Sequence, residues 1–555
     1  MKVLIIGGVA GGASCAARLR RLDEGAEIII IEKGEFISFA NCGLPYYIGG
    51  VIENEDALTL QTPESFRRRF NIDVRTQSEA VSVDPEEKTV TVRDLQTGRE
   101  YKENYDKLVL APGAHPVVPN IEGLDSGRVF TLRNIPDTRK IKDFIEKDHP
   151  AAAAVVGGGH IGLEMAENLK KAGLEVTVVE LGDHVIAALD KDMASEVQRY
   201  IKGRGIILMT GTGVTAVKED KDGLTVKLTK GEIKADMLIL SVGVSPESAL
   251  AKSAKITVTP KSCIAVDSRM QTSNKDIYAV GDAVQVRNFI TGEHAFIPLA
   301  GPASKQGRIA ADNICGITSE YKGSQGSSVL KLFDMTVAVT GLNEAMARAA
   351  DIDYDKTYIY SASHATYYPG ASLMCLKVLW ERSTHRIIGA QAVGFEGVDK
   401  RMDVLAAAIR FGARVTELAQ LELCYAPPFG SAKDPVNMVG FVAENVIEGK
   451  VGQFFWHDVA NIPRDGSVTL LDVRTDAERK DGGIDGFIHI PLDSLRDSIG
   501  LIPKSKPVYV HCHSGQRSYI ACRILSGMGY ECYNLAGGWR LYEAVTGEYP
   551  DTAAV

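Results

Sequence analysis

One local pattern occurs twice in this chain: an apolar run, a glycine-rich turn, a helical stretch and a second apolar run ending in glutamate. The first copy is KVLIIGGVAGGASCAARLRRL with AEIIIIEK, starting at residue 2. The second is AVVGGGHIGLEMAENLKKAG with EVTVVE, in residues 154–180. Such a turn brings backbone N–H groups to a helix N-terminus, where they bind a pyrophosphate, and the glutamate binds a ribose hydroxyl. A single glycine motif is a weak signal, but two in this context predict two dinucleotide-binding units.

The two turns differ at one position. The second contains the full G-x-G-x-x-G at Gly157, Gly159 and Gly162, and Glu180 ends its next strand. The first contains Gly7, Gly8, Gly11 and Gly12, and Glu32 ends its next strand. Val9 stands where the second glycine is usual, which bears on how closely a ligand can approach there. Glu180 favours NADH, because a carboxylate would repel the 2′-phosphate of NADPH.

Size and composition exclude several classes of protein. With 555 residues the chain exceeds one hydrophobic core, so three or four domains are expected. The net charge of −9 argues against a nucleic-acid partner. We expect neither a signal peptide nor a membrane span, because no stretch approaches about 20 apolar residues. The nine cysteines form no C-x-x-C pair, which favours a reducing cytoplasm and predicts no metal site.

The segments between and after the two units add a specific resemblance. YDKLVLAPG (residues 105–113) is typical of a return strand with a turn, and DIYAVGDAV occupies residues 276–284. Together with the two glycine turns, in this order, these segments resemble the flavoprotein disulfide reductases with two dinucleotide domains, over residues 1–446. The resemblance implies FAD at the first site and NADH at the second. It also implies that Asp282 binds the ribityl chain of FAD and Glu32 its adenosine ribose.

The resemblance extends these roles to further positions. For FAD it implies Gly7, Gly8, Val9, Ala10, Gly12, Glu32, Lys33, Asn41, Val81, Ala111, Pro112, Gly113, Arg133, Asp282, Pro298, Leu299 and Ala300. For NADH it implies Gly157, Gly159, His160, Ile161, Gly162, Glu180 and Gly243.

Cys42 lies in ISFANCGLPYYIGG, directly after the first unit. Dithiol members of the family have C-x-x-x-x-C here, whereas the next cysteine of this chain is Cys263. A disulfide partner must therefore arrive with the substrate. Cys42 could form a sulfenic acid, form a mixed disulfide with a small thiol, or be structural. Ala10 argues against the sulfenic acid, because the peroxidases of this superfamily have a histidine in the first glycine loop.

The segments SFANCG and LQTPESF, together with Arg18 and Arg21, favour the mixed disulfide. They resemble the coenzyme A pocket of coenzyme A disulfide reductases. Arginines facing the phosphates of coenzyme A are physically sensible, although Arg18 and Arg21 alone would be read as a solvated helix face. The residues implied are Ser14, Arg18, Arg21, Ser38, Phe39, Asn41, Gln61, Thr62, Phe66 and Arg69. The same resemblance implies that Tyr367 and Tyr425 come from the second subunit of a homodimer and protonate a departing thiolate. Tyr368 is an alternative to Tyr367.

The C-terminal segment begins a fresh α/β pattern at VTLLDVRTDAE and contains VYVHCHSGQRSYIACRIL. This segment resembles a single rhodanese domain. Its loop runs from Cys512 to Arg517 and would aim backbone N–H groups at sulfur, with Cys512 carrying a persulfide. Phosphatase activity and a degenerate domain are the alternatives. Asp472 and Arg474 are predicted to be structural, and Cys522 and Cys532 to be inert.

The predicted fold is α/β, with two Rossmann-like dinucleotide-binding domains, an α+β dimerisation domain and a C-terminal rhodanese α/β domain. The predicted boundaries are 1–114 with 246–325 for FAD, 115–245 for NADH, 326–447 for dimerisation, 448–464 for a linker and 465–555 for rhodanese. The chain resembles coenzyme A disulfide reductases fused to rhodanese, a type also described as NADH-dependent persulfide reductases. The alternatives are an NADH oxidase or peroxidase, and a redox-sensing sulfur-relay module.

Overall fold

The computed structural model of the protein describes residues 1–547. Residues 548–555, the end of the predicted rhodanese domain, lie outside the described residues. The chain divides into two compact units. The first comprises residues 1–181 and 212–326, and the second comprises residues 182–211 together with the chain from residue 327 onward.

The first unit begins with a five-stranded parallel sheet. Its strands, in spatial order, are Ile277–Ala279, Lys107–Leu110, Lys2–Ile6, Glu27–Ile31 and Asp73–Arg75. The central strand KVLII and its neighbour EIIII are buried almost throughout, as expected for a parallel sheet covered on both faces. Helices Ala10–Leu22 and Ala300–Ile314 pack closely against each other. A Cβ on Gly307 would lie only 2.3 Å from the carbonyl oxygen of Gly11, so glycine at this position permits the close approach.

A second parallel sheet in this unit contains the second glycine turn. Four of its strands lie in the order Glu175–Val179, Ala152–Val156, Met237–Leu240 and Val129–Phe130. In both parallel sheets the glycine turn follows a buried strand and leads into a helix, here His160–Lys171. The two dinucleotide-type units predicted from the repeated pattern are therefore both present.

Smaller elements complete the first unit. Its other strands are Ser78–Asp84, Thr89–Asp94, Glu100–Asn104, Ala114–Pro116, Val214–Asp220, Gly223–Leu228, Glu232–Ala235, Val244–Pro246, Val286–Arg287 and His294–Ala295. Its other helices are Leu44–Ile48, Pro63–Phe70, Ile135–Asp148 and Ala249–Ser253.

The second unit contains an antiparallel sheet of five strands. In spatial order they are Ser328–Leu332, Met335–Gly341, Ile387–Gly394, Leu373–Glu381 and Tyr354–Ala362. The helices Lys191–Gly203, Glu344–Ala349, Val398–Arg410 and Pro435–Ile447 and the strand Ile206–Met209 also belong to this unit. The ammonium group of Lys377 is fully buried within it and forms ion pairs with Asp190, Asp192 and Glu344. Three carboxylates compensate the desolvation of that charge.

The C-terminal part of this unit is a separate parallel sheet. Its strands, in spatial order, are Gly452–Phe454, Cys532–Leu535, Val508–His511, Thr469–Asp472 and Ile488–His489. Its helices are Asp476–Lys480, Gln516–Gly527 and Gly538–Thr546. Cys512 directly follows the central strand, at the carboxyl edge where open α/β sheets bind ligands. Among residues 1–547, no helix is long and apolar enough to cross a membrane.

Candidate active site

The first glycine turn is held by steric contacts that only glycine permits. Gly7 has φ of +100°, and a Cβ there would lie 2.1 Å from the carbonyl oxygen of Ala111. A Cβ on Gly12 would lie 1.9 Å from the carbonyl oxygen of Gly7. The N–H of Gly8 donates to the Glu32 carboxylate at 2.8 Å, so that carboxylate is anchored beside the turn. The structure thus brings these predicted FAD residues together at the carboxyl edge of the first sheet.

The second turn repeats this geometry. Gly157 has φ of +108°, and a Cβ on Gly162 would lie 1.9 Å from the carbonyl oxygen of Gly157. The N–H of Gly158 donates to the Glu180 carboxylate at 2.6 Å. Gly243 follows the neighbouring strand with φ of +111°, and a Cβ on it would meet nothing within 4 Å. The predicted NADH residues therefore also share one edge of one sheet.

Val9 and Gly159 occupy equivalent positions, each as the residue that caps the following helix. Their φ angles are −98° and −80°, so neither position needs glycine for its backbone conformation. A Cβ on Gly159 would meet nothing within 4 Å, which means that glycine leaves room there. The departure at Val9 therefore changes the space above the first turn, while the turn itself is intact.

Both turns fit a dinucleotide. Each presents a helix N-terminus without a side-chain cap, and each has an anchored carboxylate at the end of the next strand. Free N–H groups at a helix N-terminus bind phosphate, and the carboxylate is placed to accept from a ribose hydroxyl. The residues of the first turn, with Glu32, would hold FAD, and those of the second, with Glu180, would hold NADH.

Four further predicted FAD residues converge near the first turn. The guanidinium of Arg133 donates to Asp282 at 2.9 Å, and the Asn41 side-chain amide donates to the carbonyl oxygen of Arg133 at 3.2 Å. A Cβ on Gly113 would lie 3.5 Å from the Arg133 guanidinium. This cluster lies next to Cys42, whose pKa responds to both Arg133 and Asp282.

Five other predicted FAD residues are more peripheral. Lys33 forms an exposed ion pair with Glu79, and Val81 lies on the exposed side of a strand. Pro298, Leu299 and Ala300 lead into the helix that packs on the first glycine-turn helix.

Cys42 lies in a short 3₁₀ turn, Asn41–Gly43, directly before the helix Leu44–Ile48. A Cβ on Gly43 would lie 2.8 Å from the Leu58 side chain, so the turn is packed tightly on one side. Cys42 itself is exposed. Even so, partial burial of its thiol raises the pKa, and the carboxylates of Glu164 and Asp282 raise it further, while Arg133 opposes them. The groups supplied by this unit therefore disfavour the thiolate.

Glu164 and Tyr46 were missed by the sequence reasoning. Burial raises the pKa of Glu164 to about 7, and the Tyr46 hydroxyl, 3.4 Å from its carboxylate, opposes that rise. Neighbouring Glu167 adds to the rise. Tyr46 belongs to the segment that replaces the second cysteine of dithiol enzymes, and Glu164 follows Gly162 by two residues. The place of Tyr46 in that segment and of Glu164 beside the second glycine turn could have indicated a role for each.

The predicted coenzyme A residues lie on three neighbouring segments of the first unit. Arg18 forms an ion pair with Asp312 at 2.7 Å, whereas Arg21 and Arg69 are exposed. Ser14 is half-buried on the first helix. Phe66 is 3% exposed and packs edge-on against Phe70, so it belongs to the core beneath the segment.

The second segment, with Ser38, Phe39 and Asn41, leads directly to Cys42, and the third contains Gln61 and Thr62. The N–H of Ser38 donates to the carbonyl oxygen of Gly8 at 2.9 Å, and Phe39 forms a β-bridge with Thr59. Thr62 caps the helix Pro63–Phe70 in a capping box, and Gln61 accepts from the Ser65 hydroxyl at 2.9 Å.

The two predicted tyrosines meet on the surface of the second unit. The hydroxyl groups of Tyr367 and Tyr425 lie 2.8 Å apart, and the residues are 74% and 49% exposed. Tyr368 instead packs its ring against His364. The geometry therefore favours Tyr367 over Tyr368 as the partner of Tyr425. One hydroxyl donates to the other, which leaves one O–H of the pair available to a third group.

The Cys512 loop directs hydrogen-bond donors at sulfur. The N–H of Gly515 lies 3.1 Å from the Cys512 Sγ, and the Ser518 hydroxyl lies 3.2 Å from it. Cys512 is fully buried and opens the turn that leads into helix Gln516–Gly527. Gly515 has φ of +97°, which favours glycine there. The sequence reasoning missed Ser518, although this residue lies in the first turn of the helix that follows the loop.

The guanidinium of Arg517 forms a bidentate pair with the Glu478 carboxylate, at 2.8 and 2.6 Å. Asp472 and Arg474 form a buried pair at 2.8 Å, in agreement with a structural role. Cys522 and Cys532 are both buried, yet a hydrogen bond from Cys522 lowers the pKa of Cys532 to about 7. Within residues 1–547, no group of three or more metal-ligating side chains is arranged to hold a metal ion.

Comparison with known proteins covers nearly the whole chain. Residues 1–307 match the family described as pyridine nucleotide-disulphide oxidoreductase, and residues 327–435 match the dimerisation domain of that family. Residues 456–544 match the rhodanese-like domain. These matches, with the observed sheets, confirm the predicted fold class.

Three individual proteins are similar over most of their length. A coenzyme A disulfide reductase of Staphylococcus epidermidis is 38% identical over 445 residues, which is 80% of this chain and 100% of that protein. The crystal structure of reduced Bacillus anthracis CoADR-RHD is 48% identical, covers 98% of both chains and has a TM-score of 0.96. A structure of an NAD-dependent persulfide reductase from A. fulgidus is 37% identical, covers 98% of this chain and 100% of that one, and has a TM-score of 0.92. The chain belongs to the pyridine nucleotide-disulphide oxidoreductase family and carries a rhodanese-like domain at its C-terminal end.

Proposed function

We propose that this protein is an NADH-dependent flavoprotein reductase of coenzyme A disulfide or coenzyme A persulfide, in which Cys42 is the redox cysteine and Cys512 carries sulfane sulfur. The observation that carries the proposal is the presence of two separately built sulfur sites in one chain. One is an exposed lone thiol beside a dinucleotide turn, and the other is a buried thiol in a loop of hydrogen-bond donors. The named relatives act on coenzyme A disulfide and on persulfide, which agrees with such a pair.

Cys42 requires an external sulfur partner, because no second cysteine lies near it in sequence. Its thiolate attacks coenzyme A disulfide, forming a bond from Cys42 to one coenzyme A sulfur and releasing the other coenzyme A as a thiolate. With coenzyme A persulfide, the same attack releases hydrosulfide. NADH, when bound, would supply through FAD the two electrons that reduce the mixed disulfide to two thiolates. The exposed arginines of the predicted pocket, Arg21 and Arg69, would face the phosphates of coenzyme A.

Tyr367 and Tyr425 act on the departing thiolate from the second subunit of a homodimer. Their mutual hydrogen bond leaves one O–H to donate, which is general acid catalysis. The family's dimerisation domain, matched at residues 327–435, supports a homodimer. The free state of all nine cysteines agrees with work in a reducing cytoplasm.

Glu180 gives the protein its preference for NADH over NADPH. Its carboxylate is fixed by the N–H of Gly158 at 2.6 Å, where the 2′-phosphate of NADPH would be repelled. We expect Glu180→Ala to lose most of this preference, measured as the ratio of kcat/KM for the two nucleotides. An unchanged ratio would contradict the role given to Glu180.

The function is tested with Cys42→Ser in the full-length protein. Steady-state NADH consumption with coenzyme A persulfide, and with coenzyme A disulfide, should fall to background, while the flavin absorbance spectrum shows that FAD is still bound. Full activity of the variant would contradict the proposal. NADH loss that depends on oxygen or peroxide would indicate an oxidase or peroxidase instead, and a single reduction without turnover would indicate a sensor.

A further inference from the structure

Arg517, the cation of the Cys512 loop, pairs with a carboxylate and also interacts with the Cys512 side chain. Both terminal guanidinium nitrogens donate to Glu478, at 2.8 and 2.6 Å. The hydrogen bonds from Arg517 hold the pKa of Glu478 at about 2, so the carboxylate is ionised throughout the physiological range. A bidentate pair of this kind is stronger and more directional than a single contact.

Glu478 is also fixed from its own side. It is the third residue of the helix Asp476–Lys480 and closes a capping box with Thr475. Both the N–H and the hydroxyl of Thr475 donate to its carboxylate at 2.9 Å. A carboxylate held in this way loses little side-chain entropy when it pairs, unlike an ordinary surface glutamate. The partner of Arg517 is therefore held in place by its own helix, so the pair is a fixed feature of the domain.

The net charge around Arg517 affects how well the site stabilises the anion that leaves when sulfur is transferred to Cys512. From thiosulfate, the Cys512 thiolate takes the outer sulfur to form the Cys512 persulfide anion, and the S–S bond breaks to release the sulfite dianion. From a persulfide of a large thiol, the same step releases a thiolate with one charge at the reacting sulfur. The dianion needs a neighbouring cation far more than the thiolate does. Arg474 cannot supply it, because it is buried against Asp472.

We propose that Glu478 determines the donor specificity of the Cys512 site: by neutralising Arg517 it disfavours thiosulfate and leaves the loop suited to persulfides of larger thiols. This inference rests on the proposed function, since it names the donor class of the same site. Coenzyme A persulfide belongs to that class, because the pantetheine arm separates its phosphates from the reacting sulfur.

The test is Glu478→Gln in the full-length protein. Glutamine keeps the capping box and removes the charge. Asp476→Asn is the matched control, because it changes the net charge equally on the same helix while its side chain is 86% exposed. Steady-state kcat/KM is measured with thiosulfate and with coenzyme A persulfide, using cyanide as acceptor.

We expect Glu478→Gln to raise kcat/KM for thiosulfate about tenfold, the size of one recovered charge-assisted hydrogen bond, and to strengthen inhibition by sulfite. Activity with coenzyme A persulfide should rise by much less, and Asp476→Asn should change neither. An equal rise with both donors, a matching rise in Asp476→Asn, or no rise would each overturn the inference.

The double variant Glu478→Gln with Cys512→Ala separates this inference from the proposed function. Thiosulfate activity that persists without Cys512 would remove the sulfur-carrying role of Cys512. Activity that requires Cys512 but ignores Glu478 would overturn the specificity inference alone. Far-ultraviolet circular dichroism during heating shows whether each variant folds as the parent does.

Discussion

The two sulfur sites of this protein are built on opposite principles. Cys512 is fully buried, with one backbone N–H and one hydroxyl directed at its sulfur within 3.2 Å. Cys42 is an exposed residue, yet partial burial of its thiol raises the pKa, and the carboxylates of Glu164 and Asp282 in the same unit raise it further. At Cys512 the chain itself supplies hydrogen-bond donors that stabilise an anionic sulfur, whereas the carboxylates near Cys42 disfavour one.

This difference matches the different tasks proposed for the two cysteines. A persulfide carrier must hold a charged sulfur for as long as the donor and acceptor take to exchange, so fixed donors suit it. Cys42, as the proposed redox cysteine, would instead take its stabilising groups from FAD, coenzyme A and a second subunit. The chain then only has to keep Cys42 accessible and free of a neighbouring cysteine.

The largest expected effect separates the two sites completely. Cys512→Ala should abolish sulfur transfer from persulfide to cyanide and leave NADH-dependent reduction of coenzyme A disulfide unchanged, because the latter uses only Cys42. Both rates are measured on one preparation. Loss of both activities would show that the two sites cannot be separated.

Ser518→Ala tests the fixed donors at Cys512. Removing one hydrogen bond to a charged sulfur should lower kcat/KM for sulfur transfer about tenfold. Ser526→Ala is a matched control on the same helix, since Ser526 contacts Cys532 instead. If both variants behave alike, the effect is structural, and the hydroxyl at Cys512 has no special role.

Glu164→Gln tests the acidic surroundings of Cys42, with an effect of opposite sign. Because the Glu164 carboxylate raises the pKa of the Cys42 thiol, removing its charge should lower that pKa and increase the thiolate fraction. The pKa of Glu164 is about 7, so the effect should be largest above pH 7 and fade below it. Iodoacetamide alkylation of Cys42, followed by peptide mass spectrometry from pH 6 to 9, should be a few-fold faster at pH 8. Slower alkylation across this range would contradict the assignment.

Features set by local sterics could be predicted from the sequence. A Cβ at Gly12 or Gly162 would collide with a carbonyl oxygen five residues earlier, so glycine at these positions already specifies the turn. The Cys512 loop is likewise contiguous, and its donors come from the residues that follow the cysteine.

Contacts between distant parts of the chain could not be predicted. Tyr46 and Glu164 are 118 positions apart, and Glu478 and Arg517 are 39 apart. Their pairing depends on which helix faces which loop, and a single sequence carries no signal for that. Val9 shows the converse limit, because its unusual identity suggested a problem for the turn, whereas its φ of −98° does not require glycine.

Mass spectrometry of the two cysteine peptides tests the central claim most directly. The purified protein is incubated without oxygen with coenzyme A persulfide, digested without reductant, and measured before and after addition of NADH. We expect coenzyme A on Cys42 and one extra sulfur on Cys512 before NADH, and loss of the coenzyme A from Cys42 afterwards. Coenzyme A attached to another cysteine, or turnover without any change at Cys42, would contradict the account.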